Sequence, residues 1–546
     1  MSRYRSRLLR VVAAAALLGA AGGTVQLAHA ATPTVDPGPT PKAQCGPGSK
    51  PEAEQGRVPA ADYKNGRAAE GYTCNLALVG RDGSNAGFRV YRYIDTAGHE
   101  CAFYDSGPLF PFQVFLSSPG HTAGVFVLDM SDPAHPKQTA TLTTPAMISP
   151  HESLNLNVTR GLLAADMGNA LTLPGWVDIY DVKSDCLHPK LLSSTPLGIL
   201  GHEGTFSPDG NTFWVSSGGF STITAIDVSD PAVPKFLTLL TAYRSHGLNV
   251  SDDGNRLYVA ILPGSGTPGL VILDVSDIQK RVANPTVKLI SQTTWPDVSI
   301  PQVPIPVTIG GHPYLVEVDE YATAGGSPIP SAAADASVGG ARIIDIADEK
   351  KPKVTSTIKL EANLVKNRGT EASDNGMKSS LQGYAGHYCN VPQRTDPGIM
   401  ACSFIASGLR VFDIRDPQHP RELAYYNAPP SMGTTSQSPS NYAMSAPTFV
   451  PGRSEIWYSD GNSGFYDVHL ANGVWPFSTG SATPAVAPPK VLGSTVTAPT
   501  PRPAPAGTRD LPATGGLPWA PAGVAALALA GGCRMVRRAS RRPSKV

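Results

Sequence analysis

The sequence predicts an all-β chain: a seven-bladed β-propeller of four-stranded blades, its ring closed by an N-terminal strand. Three observations predict it. An apolar run ending in Asp, followed by a polar turn and a Pro-basic pair, recurs through the middle of the 546 residues. Two stretches, HEGTFSPDGNTFWV from 202 and HGLNVSDDGNRLYV from 246, align without gaps, each as two alternating strands around an Asp-Gly turn. Gly (55) and Pro (52) make up about a fifth of the chain, which excludes a mostly helical protein because helix interiors reject both.

The clearest repeat copies end at Asp129, Asp227 and Asp413, each followed by an Asp-Pro turn and then Pro136-Lys137, Pro234-Lys235 or Pro420-Arg421. Weaker copies centre on Asp181, Asp274 and Asp345, and a truncated seventh on Asp467. Successive anchoring Asp residues lie 52, 46, 47, 71, 68 and 54 apart. The shortest spacing matches the ~40–50 residues of a four-stranded blade, and the longer ones require loop insertions, at 322–340 and 363–383. Each unit then supplies an Asp-Gly hairpin, the Asp run and an outer strand opening on Lys or Arg. The repeated carboxylate reads as a turn acceptor for backbone N–H groups. No DxDxDG-type cluster makes the hairpins calcium sites. The last copy has no outer strand after it, and Asn75 to Val79 is a strand without a unit. Pairing them closes the ring and removes the open edge of a linear stack.

The Asp run resembles the LVIVD repeat of bacterial surface and secreted proteins, over about residues 72–475. That resemblance implies the propeller fold and an extracellular setting.

Both ends read as addresses. Arg3, Arg5, Arg7 and Arg10 precede an apolar run from Val11 to Ala21, and Ala28-His29-Ala30 offers a cleavage site, so 1–30 is expected to be a signal peptide. A retained anchor is the alternative. At the other end Leu511-Pro512-Ala513-Thr514-Gly515 precedes an apolar stretch at 517–532 and six basic residues from Arg534 to Lys545. This order resembles the LPxTG sorting signal of Gram-positive surface proteins. The resemblance implies recognition by sortase through Leu511, Pro512, Thr514 and Gly515, cleavage between Thr514 and Gly515, and linkage to peptidoglycan. Before cutting, the apolar stretch would lie in the membrane as a transmembrane segment with the basic tail on the cytoplasmic side. The Pro/Thr/Ala-rich segment 476–510 is expected to be an extended spacer across the wall. Residues 31–71 form a Pro-rich arm, expected to be loose over 32–52 except where Cys45 is tied.

Lys+Arg (44) and Asp+Glu (43) nearly cancel, which excludes a charge-driven nucleic-acid binder. Seven Cys occur without a CxxC pair, so a Cys-based zinc site is excluded and disulfides are expected. Cys533 leaves with the sorting tail. Cys389 and Cys402 flank one short loop and are expected to pair. Cys74 and Cys101, in the first strands, are paired as the next candidate, leaving Cys45 and Cys186.

The one chemical constellation is histidine. His151, His202, His246, His312 and His387 each open what reads as the first strand of a unit, with Glu152 and Glu203 beside two of them. First strands line the channel of a propeller, so these imidazoles are expected to converge at one mouth. Two readings follow. The rings fill the channel wall, or His151, His202, His246 and His387 with Glu152 and Glu203 hold copper, zinc or iron. The distribution is loosely similar to His-lined propellers such as the selenium-binding, methanethiol-oxidase family, which uses copper; that family's Cys motifs are absent here. No GxSxG, Walker loop or HExxH occurs. Two functions are therefore expected: a wall-displayed binding module for an extracellular protein, glycan or small molecule, or an extracellular metal-dependent enzyme, redox or hydrolytic, working at the channel mouth.

Overall fold

Among the described residues seven antiparallel sheets of four or five strands form the blades in chain order, and a three-stranded sheet of Ala322–Ala324, Ser327–Pro328 and Ser337–Val338 lies in the insertion of the fifth. The computed structural model describes residues 37–107, 123–167, 174–218, 220–263, 267–324, 327–378, 382–433 and 438–477. The expected signal peptide, the spacer from 478 onward, the pentapeptide with Leu511, Pro512, Thr514 and Gly515, and Cys533 lie outside them. Among the described residues no helix is long and apolar enough to cross a membrane.

Blade 1 contains Val90–Ile94, Glu100–Asp105, Val125–Asp129 and Lys137–Leu142, in that order from channel to rim. Blades 2 to 4 repeat the order, beginning at Asn155–Asn157, Glu203–Phe206 and Ser245–Val250. Blade 5 begins at Ile300–Ile309 and blade 6 at Gly386–Asn390. Blade 7 holds Thr448–Val450, Glu455–Asp460 and Gly464–Leu470, and its outer strand is Leu76–Asp82 from the far end of the chain. Leu76 faces Leu470, Ala77 faces His469 and Leu78 faces Val468, so the ring closes as expected.

The hydrophobic core lies between the blades. Val303, Val316 and Ile343 of blade 5 pack on Tyr388, Met400 and Phe412 of blade 6. Val90, Ala102 and Phe126 of blade 1 pack on Val450, Trp457 and Phe465 of blade 7, which completes the circle. Burying one face of every sheet against the next is what makes a closed set of such sheets stable.

The repeat Asp fixes the turn to the outer strand. Asp129, Asp181, Asp227, Asp274, Asp345 and Asp413 each accept the backbone N–H two residues on, at 2.8–3.1 Å. Outer strands then open on Lys137, Lys190, Lys235, Lys288, Lys353 and Arg421. Asp467 departs from the set. Its strand runs on to Leu470 to meet the closing strand, so no turn follows it and it is buried. The aligned hairpins form as read. Asp209 and Asp253 accept Asn211 N and Asn255 N at 3.0 Å, and Gly210 and Gly254 take positive φ beside them.

Three expectations need correction. Cys74 does not pair with Cys101: the disulfides are Cys45–Cys74, Cys101–Cys186 and Cys389–Cys402. Tyr72–Cys74 adds a fifth strand to blade 6, which places Cys74 against the arm and far from the blade 1 strand that carries Cys101. Cys101 instead meets the turn after Asp181 and staples blade 1 to blade 2. The arm, from residue 37, is not loose. Arg410, fully buried, forms a two-pronged pair with Glu52 at 2.6 and 2.7 Å, Gln55 Nε2 donates to Glu422, and Thr40 N donates to Lys359 O. Finally, His312 opens the second strand of blade 5, His312–Glu320, not the first.

Candidate metal centre

First strands run away from one mouth of the channel, and the antiparallel second strands return to it. Residues that begin a first strand or end a second strand therefore meet there. His151 and Glu152 enter blade 2, His202 and Glu203 blade 3, His246 blade 4 and His387 blade 6. A parallel bridge between Glu152 and Glu203 fixes the register of blades 2 and 3.

The four rings converge on one carboxylate. Glu152 Oε2 lies 3.0 Å from His202 Nε2 and 3.5 Å from His246 Nε2. Its Oε1 lies 3.4 Å from His387 Nε2 and 3.7 Å from His151 Nε2. A second carboxylate, Glu320, closes the group: Oε1 is 3.6 Å from His246 Nε2 and Oε2 is 3.2 Å from His387 Nε2. Neighbouring rings are in contact, His151 with His202 at 4.5 Å between centroids and His202 with His246 at 5.0 Å. Phe88 of the blade 1 entry covers His151 at 4.2 Å. Glu152, His246, Glu320 and His387 are buried, while His151 and His202 keep 12% and 16% of their side chains exposed. The cluster is therefore reached from the His151–His202 side.

Backbone carbonyls orient two of the rings. His246 Nδ1 is 2.8 Å from Pro301 O and His387 Nδ1 is 2.5 Å from Met444 O. A carbonyl only accepts, so Nδ1 carries the hydrogen and Nε2 is the free lone pair of the neutral ring. This is how protein ligands to a metal are commonly held. His202 Nε2 and Glu152 Oε2 form an ion pair at 3.0 Å, and the buried His151 Nδ1 has no hydrogen-bond partner. Gly218, at φ +52°, leaves room for the His202 ring, which a Cβ there would approach to 2.2 Å.

The electrostatics oppose one another. Burial pulls His151 down to about 3, aided by the neighbouring His202. Burial also works against charge on His387, but hydrogen bonds and charges from Glu152 and Glu320 push it up to about 10. Burial would raise the Glu152 carboxyl, yet His202 and His387 hold it well below the usual range. Burial works against charge on His202 as well, but the charge of Glu152 raises it, so His202 and His387 carry positive charge toward the Glu152 and Glu320 carboxylates.

Glu203 stands apart from this group. It pairs with Arg89, whose Nε donates to Glu152 O at 2.8 Å and whose guanidinium lies 4.3 Å over the Tyr388 ring. Burial and the charge of Glu152 push the Glu203 carboxyl up to about 8 against the pull of Arg89. Gly247 accommodates it, since a Cβ there would lie 1.9 Å from Glu203 Oε2. Arg89, Glu203, Tyr388 and Gln302, whose Nε2 donates to Tyr388 Oη at 2.8 Å, form a polar floor beneath the histidines.

The structure brings His151, His202, His246, His387 and Glu152 together. His312 is a correction: it is half-exposed and its Nε2 lies 3.0 Å from Asp345 Oδ2, away from the cluster. Glu203 is a correction too, being taken by Arg89. Glu320, Phe88 and Arg89 were missed. The signal for Glu320 is an acid ending the second strand, at the mouth by antiparallel return.

No family model matches this chain, and no curated protein matches it. Solved structures resemble it at low identity. Hydrazine synthase of Kuenenia stuttgartiensis is 12% identical, covering 72% of this chain and 97% of that one, TM-score 0.44. The β-propeller domain of Cps50 (Swd1) from Myceliophteria thermophila is 10% identical, covering 72% and 98%, TM-score 0.41. The periplasmic gluconolactonase PpgL of Pseudomonas aeruginosa is 12% identical, covering 64% and 92%, TM-score 0.39.

Proposed function

We propose that this chain is an extracellular metal-dependent enzyme whose propeller hub holds a transition metal through His151, His202, His246 and His387 with Glu152 and Glu320. The observation that carries this reading is the convergence of four imidazole Nε2 atoms from four blades on one buried carboxylate. A wall-filling role asks only that each ring satisfy its neighbours. It gives no reason for four Nε2 atoms to share one acceptor while the buried His151 Nδ1 has no hydrogen-bond partner. Imidazole and carboxylate together suit zinc, copper or iron. When bound, such a metal supplies Lewis-acid or redox chemistry. The chain's own part is to orient the donors through Pro301 O and Met444 O, to seal the channel beneath with Arg89 and Glu203, and to leave access beside His151 and His202. The insertions carrying Ala322–Ala324, Ser337–Val338 and the helix Val365–Glu371 join strands at this mouth, where they would select what enters. Three disulfides accord with an oxidising, extracellular setting.

In this reading the sorting signal displays the propeller on the Gram-positive wall, with sortase and peptidoglycan as partners. Metal analysis of the purified chain tests the function. Stoichiometric copper, zinc or iron that is lost on His202→Ala plus His246→Ala supports it. A metal-free chain that takes up none of these ions overturns it and returns the propeller to a binding module for protein, glycan or a small molecule. Release of Thr514→Ala protein from the wall fraction tests the anchoring separately.

A further inference from the structure

Resting on the reading above, we infer that blade 1, which supplies no ligand, is the positioning element of the metal centre: Asp105 clamps Phe88 and Arg89, and these two hold His151 and Glu152 in place. His151 is the ring that needs outside support. Its backbone lies at φ +52°, a left-handed conformation costly for a residue with a side chain. Backbone carbonyls orient His246 and His387 through Nδ1, whereas the Nδ1 of His151 has no hydrogen-bond partner. Besides the His202 ring, what meets His151 is the Phe88 ring, 4.2 Å away between centroids, and Phe88 also lies 5.6 Å from the His387 ring. Glu152 is held from the same blade, where Arg89 Nε donates to its backbone oxygen at 2.8 Å. Contacts of this kind, one step out from the donor atoms, set the orientation a ligand presents to its metal.

Phe88 and Arg89 are themselves fixed at one point. Both are buried, and both backbone N–H groups donate to a single oxygen, Asp105 Oδ1, at 2.7 and 3.0 Å. Asp105 is fully buried at the end of the second strand of blade 1, and its other oxygen accepts the N–H of Gly107 at 3.1 Å. Gly87 lets the carboxylate lie against the chain, since a Cβ there would stand 1.7 Å from Oδ2. The Arg89 guanidinium is gripped from two further sides, by Glu203 and by the face of Tyr388. The path is short and continuous: from one carboxylate, through two backbone N–H groups, to a ring against His151 and a guanidinium on Glu152. A role confined to stabilising the turn would end at the backbone and would not require the two clamped residues to be the ones that touch ligands.

The test compares variants that leave every ligand in place. Zn²⁺ affinity of the purified chain is measured by competition with a chromogenic chelator, and the Cu²⁺-loaded chain is followed by electron paramagnetic resonance. Phe88→Leu and Asp105→Ala are each expected to weaken Zn²⁺ binding about 10-fold and to shift the Cu²⁺ spectrum, as loss of an outer-shell partner does. Asp105→Asn is expected to stay close to the wild type, because the amide keeps one oxygen to accept both N–H groups. Cys101→Ser with Cys186→Ser loosens the same strand at its other end and is expected to leave affinity and spectrum unchanged. Wild-type affinity and spectrum in Phe88→Leu, or in folded Asp105→Ala, overturn the inference and leave the metal-dependent function standing. An equal shift in the cysteine variant also overturns it, since the effect would then be one of general stability. A wild-type chain that binds neither ion overturns both readings. Circular dichroism reports folding, and should Asp105→Ala fail to fold, Phe88→Leu against the cysteine variant decides.

Discussion

The two ends of the blades use the same residue types for different ends. At the face opposite the mouth, Asp132 meets His135 at 2.9 Å, Asp185 meets His188 at 3.1 Å and Asp416 meets His419 at 3.0 Å. Each pair spans three residues of one turn, and the side chains are exposed. At the mouth, Glu152 of blade 2 meets rings from blades 3, 4 and 6, all nearly sealed from water. An acid beside a histidine therefore says little by itself. Convergence across blades and burial distinguish this cluster from a turn, because only there are the charged groups taken out of water.

This contrast can be broken at several points, taken from the largest effect downward. Glu152→Gln should weaken metal binding by about 100-fold or more, since it removes the acceptor shared by all four rings and exceeds the effect of losing an outer-shell partner; competition with a chromogenic chelator measures it. Unchanged affinity would place the metal elsewhere. Arg89→Met leaves Glu203 buried without its partner and should cost about 3–5 kcal/mol in denaturant unfolding. The Arg89→Met, Glu203→Gln double variant should recover part of that loss. Replacing Cys101 and Cys186 by Ser should cost about 2–4 kcal/mol while leaving metal content intact, because the staple lies at the opposite end of the blades. Asp227→Ala loses its turn bond and its 3.4 Å pair with Arg281 and should cost about 1–2 kcal/mol. His135→Ala and His419→Ala should change neither melting temperature nor metal content. A metal loss in either would erase the distinction between the two ends.

The repeat was legible because its signals are local. An Asp that accepts the N–H two residues on, then Lys or Arg opening the next strand, acts within about ten residues and recurs whatever the loops do. Closure was legible because one strand lacked a unit and one unit lacked a strand. Blade 5 was misread for a physical reason. Its first strand, Ile300–Ile309, carries Pro301, Pro304 and Pro306 and so does not read as a strand, which shifted His312 into its place. The channel-lining strand is an edge, and prolines can sit there because no ladder partner waits on the channel side. Gln302 takes the hub position instead. Glu320 was hidden because its role comes from the antiparallel return of a second strand. The pairing of Cys74 was hidden because nothing local tells that Tyr72–Cys74 joins blade 6 before the chain crosses to blade 7. Glu203 was over-read: its neighbour in sequence faces the histidines, while its own carboxylate turns to an arginine from blade 1.

The most direct test is diffraction at a metal absorption edge from crystals of the zinc-loaded chain. The account predicts anomalous density at the hub, within bonding distance of Nε2 atoms from His151, His202, His246 and His387 and of Glu152. Rings in their present places around an ordered water, with no anomalous signal there at saturating zinc, would contradict it.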